Sequence, residues 1–311
     1  MTDCVLAFDI GGSNLKAGLV DPSGNILKED RLPLPENRDQ ALEALIHLAG
    51  GLAKQGECIG IGIGAPGVID HASSSIAADA NNLPQLVGAR FDELFRVWDV
   101  PVKIDNDANN AARAEHLFGA ARGKKNVLVV TLGTGIGGGL ILNDTLYTGA
   151  SAYAGEFGHM IVEARGRRCT CGGEGCLEAY AGAWALRLRA ESLRKRFPES
   201  SLTGFPDGAM DVADMAAAAR CGDTLACALM REAGEMLGAA LASAANLLNF
   251  DAVVIGGGVS AAGDVLFEPM RASFRQRALP KVSQTCTLLE ARLGNRSGLV
   301  GAAALIYGNT E

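Results

Sequence analysis

The sequence predicts an α/β protein with two lobes around a cleft, and three features lead to that prediction. A short apolar strand, a glycine turn with a hydroxyl side chain and a returning strand occupy residues 4–20. The same plan recurs over residues 126–143, about 120 residues later. The third feature is that segments with helical apolar spacing alternate with further buried strands in the rest of the chain. A repeated hairpin of this kind indicates a duplicated fold in which each lobe offers one turn to a shared cleft.

Length and composition limit the class of protein. The 311 residues suffice for two domains, and a hydrophobic content of 48% predicts a packed globular chain. The net charge of −7 and the lack of a basic run argue against nucleic acid or an anionic membrane surface as a partner. The longest apolar run, residues 236–250, is too short to span a bilayer. The first ten residues lack a signal-peptide pattern, so we expect a cytoplasmic protein.

The first hairpin ends in a turn that suits phosphate. Asp9 closes the apolar run 5–8, Gly11-Gly12-Ser13 follow, and Lys16 lies on the return. Backbone N–H groups at such a turn can point at phosphate oxygens, although the longer glycine loop and following helix of a P-loop are absent. Alone, this is weak evidence, because most Gly-Gly turns are only turns. Lys16 fits a solvated charge as well as a phosphate contact.

The second hairpin carries the same elements in the same order. A buried strand, residues 127–130, leads into a small-residue turn that contains Gly133-Thr134-Gly135, and residues 140–142 return. A third glycine cluster, Gly256-Gly257-Gly258, follows an apolar strand and allows a flat ligand to lie on the backbone. The fingerprint G-x-G-x-x-G is absent there, which argues against a Rossmann dehydrogenase. Two hydroxyl-bearing turns are more specific for phosphate than one.

An acidic segment joins a strand to a helix in the first half of the chain. Residues 100–104 predict a strand that delivers Asp105-Asn106-Asp107 to an Ala-rich helix over residues 108–118. A carboxylate at a helix N-terminus is favoured by the helix dipole and can cap the free N–H groups. From the residues alone, Asp107 is equally consistent with a helix cap and with a catalytic carboxylate.

Residues 155–178 concentrate metal-binding side chains. His159, Cys169, Cys171 and Cys176 have the spacing H-x9-C-x-C-x4-C, and one imidazole with three thiolates is a complete tetrahedral set for zinc. Four protein ligands leave no open position, so we predict a structural ion. The alternative is a group of free thiols in a reducing compartment.

Two glutamates flank this cluster, Glu156 before His159 and Glu178 after Cys176. A rigid metal loop can hold both carboxylates towards one polar ligand, but their spacing alone favours two solvated loop charges. The other cysteines lie in apolar segments and are predicted to be small core residues. These are Cys4, Cys58, Cys221, Cys227 and Cys286.

The remaining elements complete the predicted order. Residues 59–63 alternate with glycine as a strand that ends in Ala65-Pro66-Gly67. A small-residue helix over residues 298–307 is expected to pack back on the first lobe. Further helices are predicted at 38–54, 91–98, 180–196, 210–220 and 223–248.

Together these motifs resemble one family, the ROK family of bacterial sugar kinases and repressors, within the actin-like ATPase fold. The matching segments are DIGGSNLK (9–16), IGAPG (63–67), NDAN (106–109), LGTGIGGG (132–139), GEFGH (155–159), CTCGGEGCLE (169–178) and IGGG (255–258). They occur in the family's order along the chain. One departure is Ser13, where the family usually has Thr, and the hydroxyl is kept. The resemblance implies a duplicated ribonuclease H-like fold with a structural zinc loop. Its small lobe would be residues 1–117 with 294–311, and its large lobe residues 118–293.

The resemblance also implies ATP-dependent transfer of a phosphoryl group to a sugar hydroxyl, with Mg²⁺ as cofactor. Asp107 would be the general base. His159 would serve the sugar through one ring nitrogen and zinc through the other. The implied sugar-binding set is Asn106, Asp107, Glu156, His159 and Glu178, with Gly67 and Asn82 lining the same pocket. The implied nucleotide-binding set is Asp9, Gly11, Gly12, Ser13, Lys16, Gly133, Thr134, Gly135, Gly257 and Gly258, with Asp9 holding Mg²⁺ through water.

The acceptor is the least specific part of the resemblance. The segments GEFGH and CLEAY look most like glucokinases, while N-acetylglucosamine, N-acetylmannosamine and fructose kinases share the same residues. A second class of function is a non-catalytic sugar sensor. The resemblance implies that the family's repressors carry a helix-turn-helix domain ahead of the core, and with the first strand predicted to start near Cys4 we expect none here. The resemblance further implies a homodimer.

Overall fold

The computed structural model describes residues 3–54, 56–78, 80 and 83–308. The first half contains β1 (Asp3–Ile10), β2 (Asn14–Val20), β3 (Ile26–Pro33), α1 (Arg38–Ala53), β4 (Glu57–Ala65), β5 (Val68–Asp70), β6 (Ser75–Ala78), α2 (Phe91–Leu94), β7 (Val102–Asn106) and α3 (Asp107–Leu117). The second half contains β8 (Val127–Leu132), β9 (Ile136–Leu142), β10 (Thr145–Tyr147), α4 (Glu178–Ala181), α5 (Ala183–Leu193), α6 (Val212–Arg220), α7 (Thr224–Leu248), β11 (Ala252–Gly256), α8 (Asp264–Arg277), α9 (Pro280–Thr285), β12 (Thr287–Glu290) and α10 (Ser297–Tyr307).

The two main sheets have the same strand order. The first is β3-β2-β1-β4-β7 and the second is β10-β9-β8-β11-β12. In each, the first three strands are antiparallel neighbours and the last three run parallel. This repeated topology confirms the prediction of a duplicated two-lobed α/β fold, which the two hairpins of the sequence indicated. The hairpin tips of both halves therefore lie at equivalent places on their sheets.

Each sheet has its own apolar core. In the first half α1 buries Leu45 and Leu48 against Leu6 and Phe8 of β1. In the second half α7 and α8 pack on one another and on the strands β8 and β11. Gly238 makes this helix pair possible, because a Cβ atom there would lie 2.3 Å from the carbonyl oxygen of Met270.

The helices α3 and α10 are exchanged between the halves. Ala112 of α3 packs with Val127 and Val129 of the second sheet, whereas Leu299 of α10 packs with Val5 of the first. The two helices touch at Gly301, where a Cβ atom would lie 1.9 Å from the backbone oxygen of Asn110. The C-terminal helix thus packs on the first sheet, as expected, although the exact limits of the two lobes stay a prediction.

A buried glutamate joins the two segments that connect the halves. Glu115 of α3 is 1% exposed. Its carboxylate accepts hydrogen bonds from the backbone of Ala120 (2.7 Å), just after α3, and from Arg292 (3.1 Å) and Leu293 (2.8 Å), just before α10. Three charge-assisted bonds to backbone donors at both connections hold the exchanged helices in register.

Two features of the surface complete the fold. Cys4 and Cys286 are buried as expected, but Cys221 and Cys227 are exposed. That expectation was wrong for these two because they lie at the end of α6 and in the first turn of α7, where an apolar sequence neighbourhood does not determine which side faces the core. Within the described residues, the length and hydropathy of every helix fall short of what a membrane crossing requires.

Candidate active site and metal centre

The first hairpin tip presents the predicted phosphate turn. Gly11 donates its N–H to the carbonyl of Asn14 at 2.9 Å, which closes the turn, and Gly12 and Ser13 line a cavity of about 560 Å³. Asp9, the register partner of Lys16 across the hairpin, lies 3.4 Å from the Lys16 ammonium. Burial raises the pKa of Asp9 from its ordinary value, and Lys16 partly offsets that shift.

The second hairpin tip is held from two sides. Gly133 donates to the carbonyl of Gly135 at 2.9 Å, and the carbonyls of Gly133 and Thr134 accept from Ala183 (3.1 Å) and Trp184 (3.4 Å) at the start of α5. The Thr134 side chain is left exposed. Both predicted turns therefore keep an exposed hydroxyl at a hairpin tip.

The third glycine cluster lies against this second turn. Gly257 follows β11 at a positive φ of 93°, and a Cβ atom there would lie 2.3 Å from the carbonyl oxygen of Leu132. Only glycine allows this close approach without strain. Gly258 stands beside it and is exposed. Gly257 thus lies against the backbone of Leu132, the residue that precedes Gly133 in the second turn.

The junction of β7 and α3 shows which residue caps the helix. Asn106 is the helix cap, since its side-chain oxygen accepts from the backbone N–H of Ala108 (2.8 Å) and Asn109 (3.4 Å). Its amide nitrogen donates to the carbonyl of Gly67 at 3.1 Å, which places that predicted pocket residue beside it. Asp107 is the first helical residue, and its carboxylate accepts from the backbone N–H of Ala108 at 2.9 Å.

The Asp107 carboxylate is electrostatically unusual. Its surface is open to solvent, yet protein surrounds it closely, and this desolvation raises its pKa from 3.8 to about 6. The hydrogen bond from Ala108 opposes the shift, while the negative charges of Asp9 and Glu156 add to it. Solvent around the exposed face screens part of the effect. A carboxylate that is ionised near pH 7 but still basic suits proton abstraction.

Four side chains converge as the predicted metal centre. One ligand atom from each of His159, Cys169, Cys171 and Cys176 lies within 4.8 Å of the others. The Cys171 and Cys176 sulfurs are 3.7 Å apart, and the Cys169 sulfur is 3.8 Å from His159 Nδ1. Zinc–sulfur bonds of about 2.3 Å in a tetrahedron require sulfur atoms about 3.8 Å apart. The distances and the donor types therefore fit a tetrahedral zinc ion.

The two ring nitrogens of His159 face different groups, one the metal centre and the other Glu156. Its Nδ1 faces Cys169, and its Nε2 lies 3.8 Å from a carboxylate oxygen of Glu156. Both residues follow Gly155. Glycine is required there because φ is 93° and because a Cβ atom would lie 2.6 Å from the Gly138 oxygen. The second hairpin and the metal loop therefore position Glu156 and His159 together.

Glu178 links the metal loop to the second hairpin. It is 8% exposed and begins α4. Its carboxylate accepts from the backbone of Ile136 (2.8 Å), the Thr170 hydroxyl (3.2 Å) and the Trp184 indole (3.2 Å). Sequence reasoning missed Thr170 and Trp184, although the position of Thr170 between two metal-binding cysteines was a usable signal.

The predicted site residues thus fall into connected groups. Asp9, Asp107 and Glu156 interact electrostatically, Glu156 lies beside His159, and Glu178 reaches the second hairpin. Gly67 joins this set through Asn106. Asn82 lies outside the described residues.

Comparison with known proteins identifies the family. A family model described as the ROK family matches residues 5–309. The chain belongs to the ROK family. It is similar to a glucokinase of Halalkalibacterium halodurans (36% identical, 97% of this chain and 94% of the relative) and to one of Streptomyces coelicolor (35%, 96% of each). A ROK family glucokinase from Streptomyces griseus, solved with glucose and AMPPNP, superposes with a TM-score of 0.81 at 34% identity, covering 97% of this chain and 98% of that one. The chain is also similar to a xylose repressor of Bacillus subtilis, 27% identical over 97% of this chain and 76% of the repressor.

Proposed function

We propose that this protein is an ATP-dependent hexose kinase that transfers the γ-phosphoryl group of ATP to a hydroxyl of glucose, forming glucose 6-phosphate. The observation that carries the proposal is the position of Asp107, which begins α3 near Asp9 and Glu156 while Asn106 and not Asp107 is the helix cap; desolvation raises its pKa to about 6. Two hydroxyl-bearing glycine turns accompany it, and phosphoryl transfer needs mainly positioning and charge stabilisation. The similarity to glucokinases supports glucose as the acceptor.

Asp107 would act as the general base. The sugar hydroxyl oxygen attacks the γ-phosphorus, its proton passes to the Asp107 carboxylate, and the bond to the β-phosphate oxygen breaks to release ADP. With a pKa of about 6, Asp107 is mostly ionised at neutral pH and can accept the proton. Desolvation, with a smaller contribution from the negative charges of Asp9 and Glu156, raises the pKa of this carboxylate and keeps it basic.

The sugar would be held by a set of polar groups with unused capacity. Asn106 uses its oxygen for the cap and one N–H for Gly67, so its second amide N–H remains to donate. Glu178 Oε1 accepts from Thr170, from Trp184 and, at 4.0 Å, from the Cys169 thiol, whereas Oε2 accepts from Ile136, so the second acceptor position of Oε2 would serve a sugar hydroxyl. Glu156 and the Nε2 atom of His159 would bind vicinal hydroxyls.

The nucleotide would lie across the two hairpins and the third glycine cluster. Backbone N–H groups of Gly11, Gly12 and Ser13 on one side, and of Thr134 and Gly135 on the other, would contact the phosphates. The adenosine would lie on Gly257 and Gly258. Closure of the lobes would exclude water, which otherwise competes with the sugar for ATP.

Two metal ions belong to this proposal. Asp9 is a hard oxygen ligand at the base of the first turn, where Gly298 leaves it room, since a Cβ atom there would lie 2.4 Å from the Asp9 carboxyl carbon. It would hold Mg²⁺ through water, and Mg²⁺ would neutralise phosphate charge. Zinc in the quartet would be structural, crosslinking the loop so that His159 and Glu178 keep their orientation.

A sugar-sensing, non-catalytic role is the second candidate, favoured by the similarity to the xylose repressor. A sensor needs the sugar-binding groups but no base.

We infer a cytoplasmic homodimer from the family resemblance. Mass photometry of the purified protein tests whether it is a dimer.

The deciding experiment is ADP release with ATP and Mg²⁺ against glucose, N-acetylglucosamine, N-acetylmannosamine, mannose, fructose and allose. We expect glucose to give the largest kcat/KM and Asp107→Asn to abolish release. A larger kcat/KM with another sugar would show that the acceptor is not glucose, while the proposed kinase activity would stand. Silence on all six sugars from folded, zinc-loaded protein, with sugar binding retained in calorimetry, would establish the sensor instead.

A further inference from the structure

The outer edge of the first sheet carries a cavity of about 290 Å³ that the proposed reaction does not use. β7 is the last strand of this sheet, and within the described residues no strand pairs with its outer side. The cavity is lined by Lys103 and Asp105 of β7, by Arg113 of α3 and by His71 and Ser74 of the β5–β6 hairpin. Of the eight lining residues, Lys103 and Arg113 carry positive charge and Asp105 carries negative charge, while Val102, Ile104 and Leu305 are apolar.

The positive charge in this cavity is only partly compensated. The side chain of Asp105 is 2% exposed, and its three hydrogen bonds come from Asn106 N (2.8 Å), Asn109 Nδ2 (3.0 Å) and Arg113 Nη2 (3.0 Å). The negative charge of Asp105 is therefore paired with the positive charge of Arg113. Lys103 forms no ion pair with any residue that the structure describes. Burial and the nearby Arg113 lower the pKa of Lys103, as expected for an ammonium that lacks an anion.

Further donors at the cavity also lack acceptors. The Nε atom of Arg113 is buried and has no hydrogen-bond partner in the described part of the chain. The carbonyl of Pro101 faces β4, since it accepts from Ile61 N at 2.8 Å. Because backbone groups alternate sides along a strand, the N–H groups of Val102 and Ile104 point to the open edge. Lys103, Arg113 and the two residues with edge amides, Val102 and Ile104, all line the same cavity.

We propose that this edge of β7 is a second ligand site, separate from the catalytic cleft, that binds inorganic phosphate or a phosphate ester. A tetrahedral anion accepts hydrogen bonds in several directions at once, which matches donors arriving from a strand, a helix and a hairpin. A halide has no such directionality, and a single carboxylate offers fewer acceptors. Lys103 and Asp107 are four residues apart on a nearly extended strand, or about 13 Å, so the anion would lie well outside phosphoryl-transfer distance.

The test uses the full chain and inorganic phosphate as the probe. Equilibrium dialysis with labelled phosphate is performed with saturating glucose, AMPPNP and Mg²⁺ in both chambers, so that the cleft is occupied. Lys103→Gln removes the charge, Lys103→Arg keeps it, and Lys195→Gln is the matched control at an exposed lysine of the other half. Competition with sulfate, with glycerol phosphate and with chloride then defines the ligand class.

We expect one phosphate per chain in the wild type, and at least about tenfold weaker binding in Lys103→Gln, because a charge-assisted contact is lost. Lys103→Arg and Lys195→Gln should bind as the wild type does. Sulfate should displace phosphate, and displacement by glycerol phosphate would show that the site accepts an ester as well as the free ion. No phosphate bound at millimolar concentration, unchanged binding in Lys103→Gln, or equal displacement by chloride would each overturn the proposal.

Discussion

Replacing Asp107 by asparagine separates its catalytic role from a structural one. The substitution keeps the size and polarity of the side chain but removes the proton acceptor. Because Asn106 already caps α3, the helix does not need the Asp107 carboxylate. We therefore expect Asp107→Asn to fold and to bind glucose with nearly unchanged affinity, while kcat falls by about 10²- to 10⁴-fold, the usual contribution of a general base.

The pH dependence follows from the raised pKa. With a pKa of about 6, roughly nine-tenths of Asp107 is ionised at pH 7 and roughly one-tenth at pH 5. The kcat/KM of the wild type should fall about tenfold per pH unit below pH 6. The residual activity of Asp107→Asn should lack this acidic limb.

The same shift has a consequence of opposite sign for stability. The folded-state pKa lies above the ordinary value of 3.8, so the favourable contribution of Asp107 is complete below that pH and is lost as the pH rises through about 6. Asp107→Asn should therefore have a higher Tm than the wild type at pH 8 and the same Tm near pH 4. The ionised Asp107 carboxylate that catalysis needs thus lowers the stability of the folded protein.

Stopped assays of ADP release between pH 5 and pH 8, with scanning calorimetry at both ends, measure all three effects. Asp39→Asn, at an exposed carboxylate of α1, is the control and should match the wild type throughout. Turnover of Asp107→Asn within tenfold of the wild type, or an acidic limb that persists in it, would refute the assignment of the base.

Three further predictions concern the metal loop and the connection between the halves. Cys171→Ser should lose bound zinc in elemental analysis and raise the KM for glucose, and wild-type metal content would contradict the ligand set. Thr170→Val removes a donor to Glu178 and should raise the glucose KM about tenfold, roughly 1.4 kcal/mol, while zinc stays bound; an unchanged KM would show that this hydroxyl does not orient the carboxylate. Glu115→Gln places an NH₂ group against backbone N–H donors, so the free energy of unfolding measured in urea should fall by about 1–3 kcal/mol. Glu43→Gln, at an exposed position of α1, is the control and should leave that free energy unchanged. Equal stability of the two variants would refute the role of Glu115 at the connections.

Local patterns were sufficient where the chemistry is local. Each predicted hairpin needs only an apolar strand, a small-residue turn and a returning strand, and both hairpins occur as expected. The metal quartet was predictable because its three cysteines lie within eight residues, so that only His159 had to be brought from a distance. The cysteines at 221 and 227 mark the limit, since apolar neighbours in sequence did not place them inside the protein.

The sequence by itself determined the duplicated hairpins, the helices and strands with clear periodicity, and the donor types of the metal loop, because these depend on periodicity and on short spacing; it did not predict β3, β5, β6, β10, α8, α9 or β12. The tertiary structure alone decided that Asn106 and not Asp107 caps α3, that Thr170 and Trp184 orient Glu178, and that α3 and α10 exchange sheets. It also brought Lys103 and Arg113 together at the edge of β7. Each of these depends on contacts between segments whose side chains compete for the same few donors and the same packing space, and such competition is settled only when the whole chain has folded.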